Sequence, residues 1–203
     1  MTLLTLYDFP GSGNGYKVRL LLAQLGVPYR LVALDILKGE TRTPEFLAIN
    51  PNGKIPTVVL DDGTVLPESN AIMWYFAEGT PLVPDDRLGR AQVLSWLFFE
   101  QYSHEPTIAV ARFILHFMPE DSPRRAELPR LQERGAAALD VLETRLQRHP
   151  FLVADRYSIA DIALYAYTHV AGEGGFDLRR WPAIGDWLRR VREQPGHVPM
   201  DLG

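Results

Sequence analysis

Strand-like patterning in this chain stops before Pro67, and after Asp85 only helical periods remain. That confinement separates strands from helices along the sequence, so the chain is α+β with two domains. Residues 3–7 read as a first strand. A helix follows over 17–25, with Val18, Leu21, Leu22 and Leu25 at i, i+3, i+4, i+7. Gly26 is expected to close it at C′. Residues 29–34 read as a second strand, and a strand-helix-strand unit of this kind predicts a parallel pair. Thr43-Pro44-Glu45-Phe46 predicts a short helix with Pro in its first turn. Residues 56–60 and 64–66 flank Asp61-Asp62-Gly63, a hairpin signature, and a helix is predicted over 69–77.

The order βαβ, α, ββα is that of a thioredoxin-like domain, with an all-helical domain to follow. Within the second block, residues 88–117 predict one long helix bent near Pro106. Residues 124–148 are amphipathic through Leu128, Leu131, Leu139, Leu142 and Leu146. Ser158-Ile159-Ala160-Asp161 is a capping box opening another helix, and Trp181-Pro182 starts the last. All three lysines, Lys17, Lys38 and Lys54, precede residue 79, and every later cation is arginine. The break coincides with the loop signals Glu78-Gly79-Thr80-Pro81 and Pro84-Asp85-Asp86. Residues 1–79 are therefore expected to form the first domain and 86–203 the second.

The net charge of -4 argues against a nucleic-acid partner. No apolar run approaches the roughly 20 residues that span a bilayer, and the first residues lack the basic stretch of a secretory leader. A cytoplasmic protein is expected. The chain has no cysteine, which removes disulfides, thiolate metal sites and any thiol nucleophile of its own. Thiol chemistry here needs a ligand that brings the sulfur. The five histidines are scattered away from metal-ligand spacing, so no metal is assigned.

Three segments carry polar groups suited to a ligand. Pro10-Gly11-Ser12-Gly13-Asn14-Gly15 joins the first strand to the first helix, where free N–H groups favour an anion. A free thiol has a pKa of about 8.5. Donors from Ser12 and Asn14 beside that helix start favour the thiolate, whereas the plainer reading makes Asn14 a helix cap. Lys54-Ile55-Pro56 offers a candidate cis bond that presents the Ile55 backbone to an extended peptide; the alternative is an ordinary proline at a strand start. Glu68-Ser69 opens the third helix, with Ser69 as its expected N-cap and Glu68 placed to accept an ammonium, a pair suited to an amino-acid end. Alternatively Glu68 is merely solvated. In the helical half, Tyr102, His104, Arg112 and Phe113 are candidates for polar tips in an apolar wall. A dinucleotide fold fits the first βαβ unit, but Tyr16 stands where the third fingerprint glycine belongs and the hairpin breaks the parallel pattern.

These motifs appear in order: Ser12-Gly-Asn-Gly-Tyr-Lys-Val-Arg-Leu20, Thr43-Pro-Glu-Phe, Asn50-Pro-Asn-Gly-Lys-Ile-Pro56, Glu68-Ser-Asn-Ala-Ile72 and Ser158-Ile-Ala-Asp-Ile162. Together they make a chain that resembles a bacterial glutathione transferase over essentially its whole length. The resemblance implies glutathione as co-substrate. Glu68 and Ser69 then hold its γ-glutamyl end, the Ile55 backbone before a cis Pro56 pairs with the cysteinyl amide, and Lys54 reaches the glycine carboxylate. Serine-type members point to Ser12 at the thiol, asparagine-type members to Asn14, and tyrosine-type members to Tyr7, ranked last. Thr41 and Arg42 stand where theta- and delta-like relatives carry a His, so Thr41 is expected at the glycine end in a different arrangement. The resemblance also implies a homodimer, with residues 101–105 near the two-fold axis. A small-molecule electrophile is expected in a cleft between the domains, against Phe9, Tyr102, His104, Arg112 and Phe113. The implied activity is conjugation; disulfide or peroxide reduction, or a non-catalytic binding role on the same fold, are the alternatives.

Overall fold

A computed structural model describes residues 3–200. The chain forms two compact units, one of residues Met1–Glu78 with Pro195–Gly203, the other Gly79–Gln194. The segment 195–200, expected in the helical domain, thus belongs with the first unit.

In the first unit, β1 (Thr5–Asp8), β2 (Arg30–Ala33), β3 (Thr57–Val59) and β4 (Val65–Pro67) form one sheet in the order β2-β1-β3-β4. β1 and β2 are parallel, while β3 runs antiparallel to both β1 and β4. Three helices join them: α1 (Gly13–Gln24), α2 (Pro44–Ile49) and α3 (Ser69–Ala77). Leu6, Val18, Leu21, Leu22, Val58, Ile72 and Met73 make the core. Gly26 at φ 64 closes α1, and Gly63 at φ 86 turns the hairpin; both adopt a backbone region open to glycine at little cost. Thr43 caps α2, accepting from Phe46 N.

One expectation fails at α1. The helix starts at Gly13, four residues earlier than the periodicity predicted, and its N-cap is Ser12 rather than Asn14. Glycine is a poor helix former. Tertiary packing overrides that propensity here, because Gly13 and Gly15 are buried.

The second unit contains α4 (Arg87–Phe99), α5 (Glu105–Phe117), α6 (Leu128–Leu146), α7 (Ile159–Thr168) and α8 (Pro182–Arg192). The predicted bend near Pro106 is a π-helical turn over Glu100–His104. Pro106 has no N–H to give the preceding turn. The chain adapts by donating from Glu105 N to Glu100 O, five residues back. The Thr107 hydroxyl has two acceptors within reach for its one hydrogen, Ser103 O at 3.0 Å and His104 O at 2.9 Å.

The capping box at Ser158 is present and does more than cap. Asp161 is fully buried and accepts from Leu152 N (3.1 Å), Ser158 N (3.0 Å) and Trp187 Nε1 (2.9 Å), so one carboxyl joins α7 to α8 and to the turn before it. Burial pushes that carboxyl up to about 6, against the Trp187, Leu152 and Ser158 donors that pull it down. An acid raised on folding takes up protons that the unfolded chain releases near its ordinary pKa of about 4. Its stabilising contribution is therefore complete below about pH 4 and lost as the pH rises through about 6. The stability advantage of the native chain over Asp161→Asn is expected to narrow between about pH 4.5 and 7.5. Urea titrations of both chains across that range check this, and an advantage that widens with pH contradicts it.

Candidate active site

Strand register puts the three predicted ligand segments at one edge of the first unit. Tyr7 lies opposite Thr57, and Thr57 opposite Pro67. Because β3 is antiparallel to both neighbours, the chain leaving β1, the chain entering β3 and the chain leaving β4 share an end of the sheet. Those exits are the Phe9–Ser12 loop, Ile55-Pro56 and Glu68-Ser69. The parallel β2 ends there too, and leads to the turn carrying Thr41.

The loop after β1 is fixed from beneath. Asp8 and Arg19 form a buried ion pair, Nε to Oδ2 at 2.9 Å, with side chains 0% and 2% exposed. Asp8 Oδ1 also accepts from Phe9 N at 2.7 Å. Arg19 Nη2 donates to Pro10 O at 2.8 Å and Nη1 to Met200 O at 2.9 Å. Burial pushes the Asp8 carboxyl up to about 6, opposed by the Arg19 charge and by the bonds from Arg19 and Phe9. Gly15 faces this pair so closely that a Cβ there would overlap the Asp8 carboxyl.

Above the pair, Ser12 N donates to Phe9 O at 2.8 Å, and Ser12 Oγ accepts from Gly15 N at 3.4 Å. Asn14 stands on the first turn of α1, where Ser69 Oγ donates to its Oδ1 at 3.4 Å. One turn on, the buried Lys17 donates from Nζ to Asn70 Oδ1 at 3.3 Å. Two contacts thus join the starts of α1 and α3, and neither helix carries an acid in its first turn. An acid nevertheless stands beside each start, Glu68 as the residue before α3 and the Asp8 carboxyl against Gly15 of α1.

Ser69 is not the N-cap that its type suggests. Glu68 holds that position at φ 70, ψ 112, and Ser69 is the first helical residue. A non-glycine residue at positive φ is a local cost that the surroundings must impose. Glu68 itself is exposed, and Ser69 is buried. The Ile55-Pro56 bond is cis. Asn50 organises the turn that leads to it: Nδ2 donates to Lys54 O and Thr57 Oγ1, both at 2.9 Å, and Oδ1 accepts from Asn52 N at 3.1 Å. The Lys54 side chain is exposed. Thr41 is buried, and its carbonyl lies 2.9 Å from where a Cβ on Gly53 would stand, so this turn abuts the one that presents Lys54.

The candidates in the helical unit diverge. His104, expected on an open wall, is fully buried, with Nε2 2.8 Å from Thr168 Oγ1. It is a packing residue, because the π-helical turn directs it inward. Tyr102 on the same turn is 84% exposed. Arg112 is nearly buried; it donates from Nε to Glu173 Oε2 at 2.7 Å, and its guanidinium lies 5.3 Å from the Phe117 ring centre. Phe113 is half-buried and packs against Phe117. Phe9 is half-buried in the first unit. Among the described residues no cluster of metal-ligating side chains occurs, and no helix is long and apolar enough to cross a membrane.

Residues 2–78 match the family model of the glutathione S-transferase N-terminal domain, and 105–195 that of the C-terminal domain. The chain belongs to the glutathione S-transferase family. A glutathione S-transferase from Pseudomonas fluorescens superposes with a TM-score of 0.94 at 57% identity, over 98% of this chain and 99% of that one. Yeast Ure2p in complex with glutathione superposes at 0.84 with 28% identity, over 96% of each chain. The disulfide-bond oxidoreductase YfcG of Escherichia coli is 36% identical over 95% of this chain and 92% of its own length.

Sequence reasoning missed Asp8, Arg19 and Asn50 as organisers of the site. The Asn50-Pro51-Asn52-Gly53 run carried the only available signal, a turn rich in side chains that bond their own backbone. Asn50→Ala removes the donor to Lys54 O and Thr57 Oγ1 and the acceptor for Asn52 N, while Thr57 Oγ1 still donates to Lys54 O. It is expected to destabilise the chain by about 1–2 kcal/mol. Urea unfolding measures this, and faster amide exchange at Asn52 localises it.

Proposed function

We propose that this chain binds glutathione along the shared sheet edge and activates its thiol for attack on a small electrophile. The observation that carries the reading is the convergence of Ser12, Asn14, Ile55, Glu68 and Ser69 on that edge. Glu68 suits the γ-glutamyl ammonium, and Ser69 with the start of α3 suits the carboxylate beside it. The Ile55 backbone has the polarity to pair with an extended peptide. Lys54 and the turn at Thr41 suit the glycine carboxylate. Ser12 Oγ and the Asn14 amide supply donors at the start of α1, where negative charge on sulfur is favoured. The thiol releases its proton, and the thiolate forms a bond to the electrophilic carbon as the leaving group departs. With no cysteine in the chain, the sulfur belongs entirely to the substrate.

Ser12→Ala removes a helix cap as well as a donor. It is expected to lower kcat about 10- to 100-fold and stability by about 1 kcal/mol. Asn14→Ala is expected to lower kcat comparably with a smaller stability loss. Conjugation of a generic aryl halide and urea titration read the two effects separately. Full activity in the Ser12→Ala/Asn14→Ala chain sinks the thiol assignment.

The similarity to YfcG favours a second reading, disulfide reduction. The same thiolate attacks a disulfide sulfur, forms a mixed disulfide and expels a thiolate. Comparing kcat/KM for a small disulfide with that for the aryl halide ranks the two activities. Turnover of neither, with glutathione bound, leaves a binding role on this fold.

The chain is further proposed to be a homodimer. Leu88, Phe98 and Tyr102 are 67%, 70% and 84% exposed, an unusual outlay of apolar surface for one helix and its turn. A recess of about 270 Å³, lined by Phe99, Ser103, Arg134, Ala137, Ala138 and Val141, lies on the same unit. Phe98→Asp with Tyr102→Asp is expected to convert a dimer to a monomer in sedimentation equilibrium, and a monomeric native chain refutes the proposal.

A further inference from the structure

Residues 196–200 return to the first unit and run along α1 toward the thiol loop. At their start, Gly196 has φ 71, and a Cβ on it would stand 3.0 Å from Gln24 Cα. Further on, Tyr16 Oη donates to Val198 O at 2.8 Å and lies 3.3 Å from His197 Nε2. At the end, Met200 is buried and its carbonyl accepts from Arg19 Nη1. The same guanidinium holds Asp8 through Nε and Pro10 O through Nη2. Pro10 is two residues before Ser12. One buried cation therefore fixes the end of β1, the thiol loop and the returning segment.

We propose that the 196–200 segment is a positioning strap for the Ser12–Asn14 donors, acting through Arg19. The guanidinium is planar, and its N–H directions are fixed relative to one another. Acceptors at Asp8, Pro10 and Met200 together determine its plane. Take away the Met200 carbonyl, and a buried N–H loses its partner. The group then turns to recover one, at the expense of the Pro10 bond. A shift at Pro10 passes to Ser12 through the bond from Ser12 N to Phe9 O and the short chain between them. Hydrogen-bond donation to a developing charge falls off steeply with misplacement, so a loosened strap weakens thiol ionisation while the Glu68-Ser69 and Ile55 contacts persist. Tyr16 N donates to Ser12 O at 2.9 Å, and its ring centre lies 5.6 Å from the Arg19 guanidinium carbon. Tyr16→Phe keeps both and removes only the hydroxyl bond to the strap, which makes that hydroxyl the cleaner place to cut.

The effect on catalysis rests on the glutathione reading; the effect on the loop does not. Two variants separate them: Tyr16→Phe in the full chain, and a chain ending after Gln194. Amide exchange at residues 11–15, without ligand, is expected to quicken in both. kcat is expected to fall several-fold, the acid limb of its pH profile to move upward, and the KM for glutathione to change little. A merely structural role lowers the urea midpoint and leaves that limb in place. If the shortened chain does not fold, Tyr16→Phe alone decides. Unchanged exchange at 11–15 in a folded variant overturns the strap. Quickened exchange in a protein whose native form shows no glutathione turnover upholds the strap and overturns the thiol-activation part of the proposed function. Quickened exchange with an unmoved kcat profile in an active enzyme overturns the link to thiol ionisation.

Discussion

The Asp8–Arg19 pair is the contact on which the candidate site depends. Taking two charges out of water is costly, and a buried pair seldom adds net stability over apolar residues of the same size. What it adds here is direction. Asp8 ends β1 and also holds Phe9 N, so the strand and the first loop residue share one acceptor. Arg19 stands on the buried side of α1 and reaches back over the loop to Pro10. The strand, the loop and the helix are thereby set against each other before any ligand group is considered. Ser12 acquires its position from that arrangement and from its backbone bond to Phe9 O at 2.8 Å, while the side-chain bonds of Ser12 to Gly15 N and of Asn14 to Ser69 Oγ are longer, at 3.4 Å.

Much of the fold was legible because its signals are local. The Ser158 capping box, the Asp62-Gly63 turn, Gly26 after α1 and Pro44 in the first turn of α2 depend on a few adjacent residues, and each appears as its chemistry predicts. The site was legible in its membership and less so in its mechanics. Three glycines and an asparagine read as loop, yet the helix begins among them, because burial decided what propensity opposed. Ser69 looks like a cap, but the cap is Glu68 in a conformation no preference table favours. Arg19 is bonded to Asp8 eleven positions earlier and to Met200 far along the chain. No periodicity encodes such a pairing. His104 has the composition of a site residue, and its partner Thr168 is 64 positions away.

The family and the chemistry of the edge stand at different levels of detail. Relatives sharing this fold are named as a transferase, a disulfide oxidoreductase and a transcriptional regulator. A fold that accepts such different assignments does not by itself select among them. In that unit the polar residues are already committed to partners: Arg112 to Glu173, His104 to Thr168. Tyr102, by contrast, is 84% exposed.

Gly15 has a consequence for how such a loop can change over time. Its missing side chain is the space that the Asp8 carboxyl fills. Neither position is free to drift while the other stays: a larger residue at 15 collides with the acid, and a shorter residue at 8 abandons Arg19 in a dry interior. A lineage leaving this arrangement has to cross a valley of poorly folded intermediates, or change several sites together. Libraries that randomise the loop one codon at a time will therefore find the two positions frozen, whatever the new substrate demands.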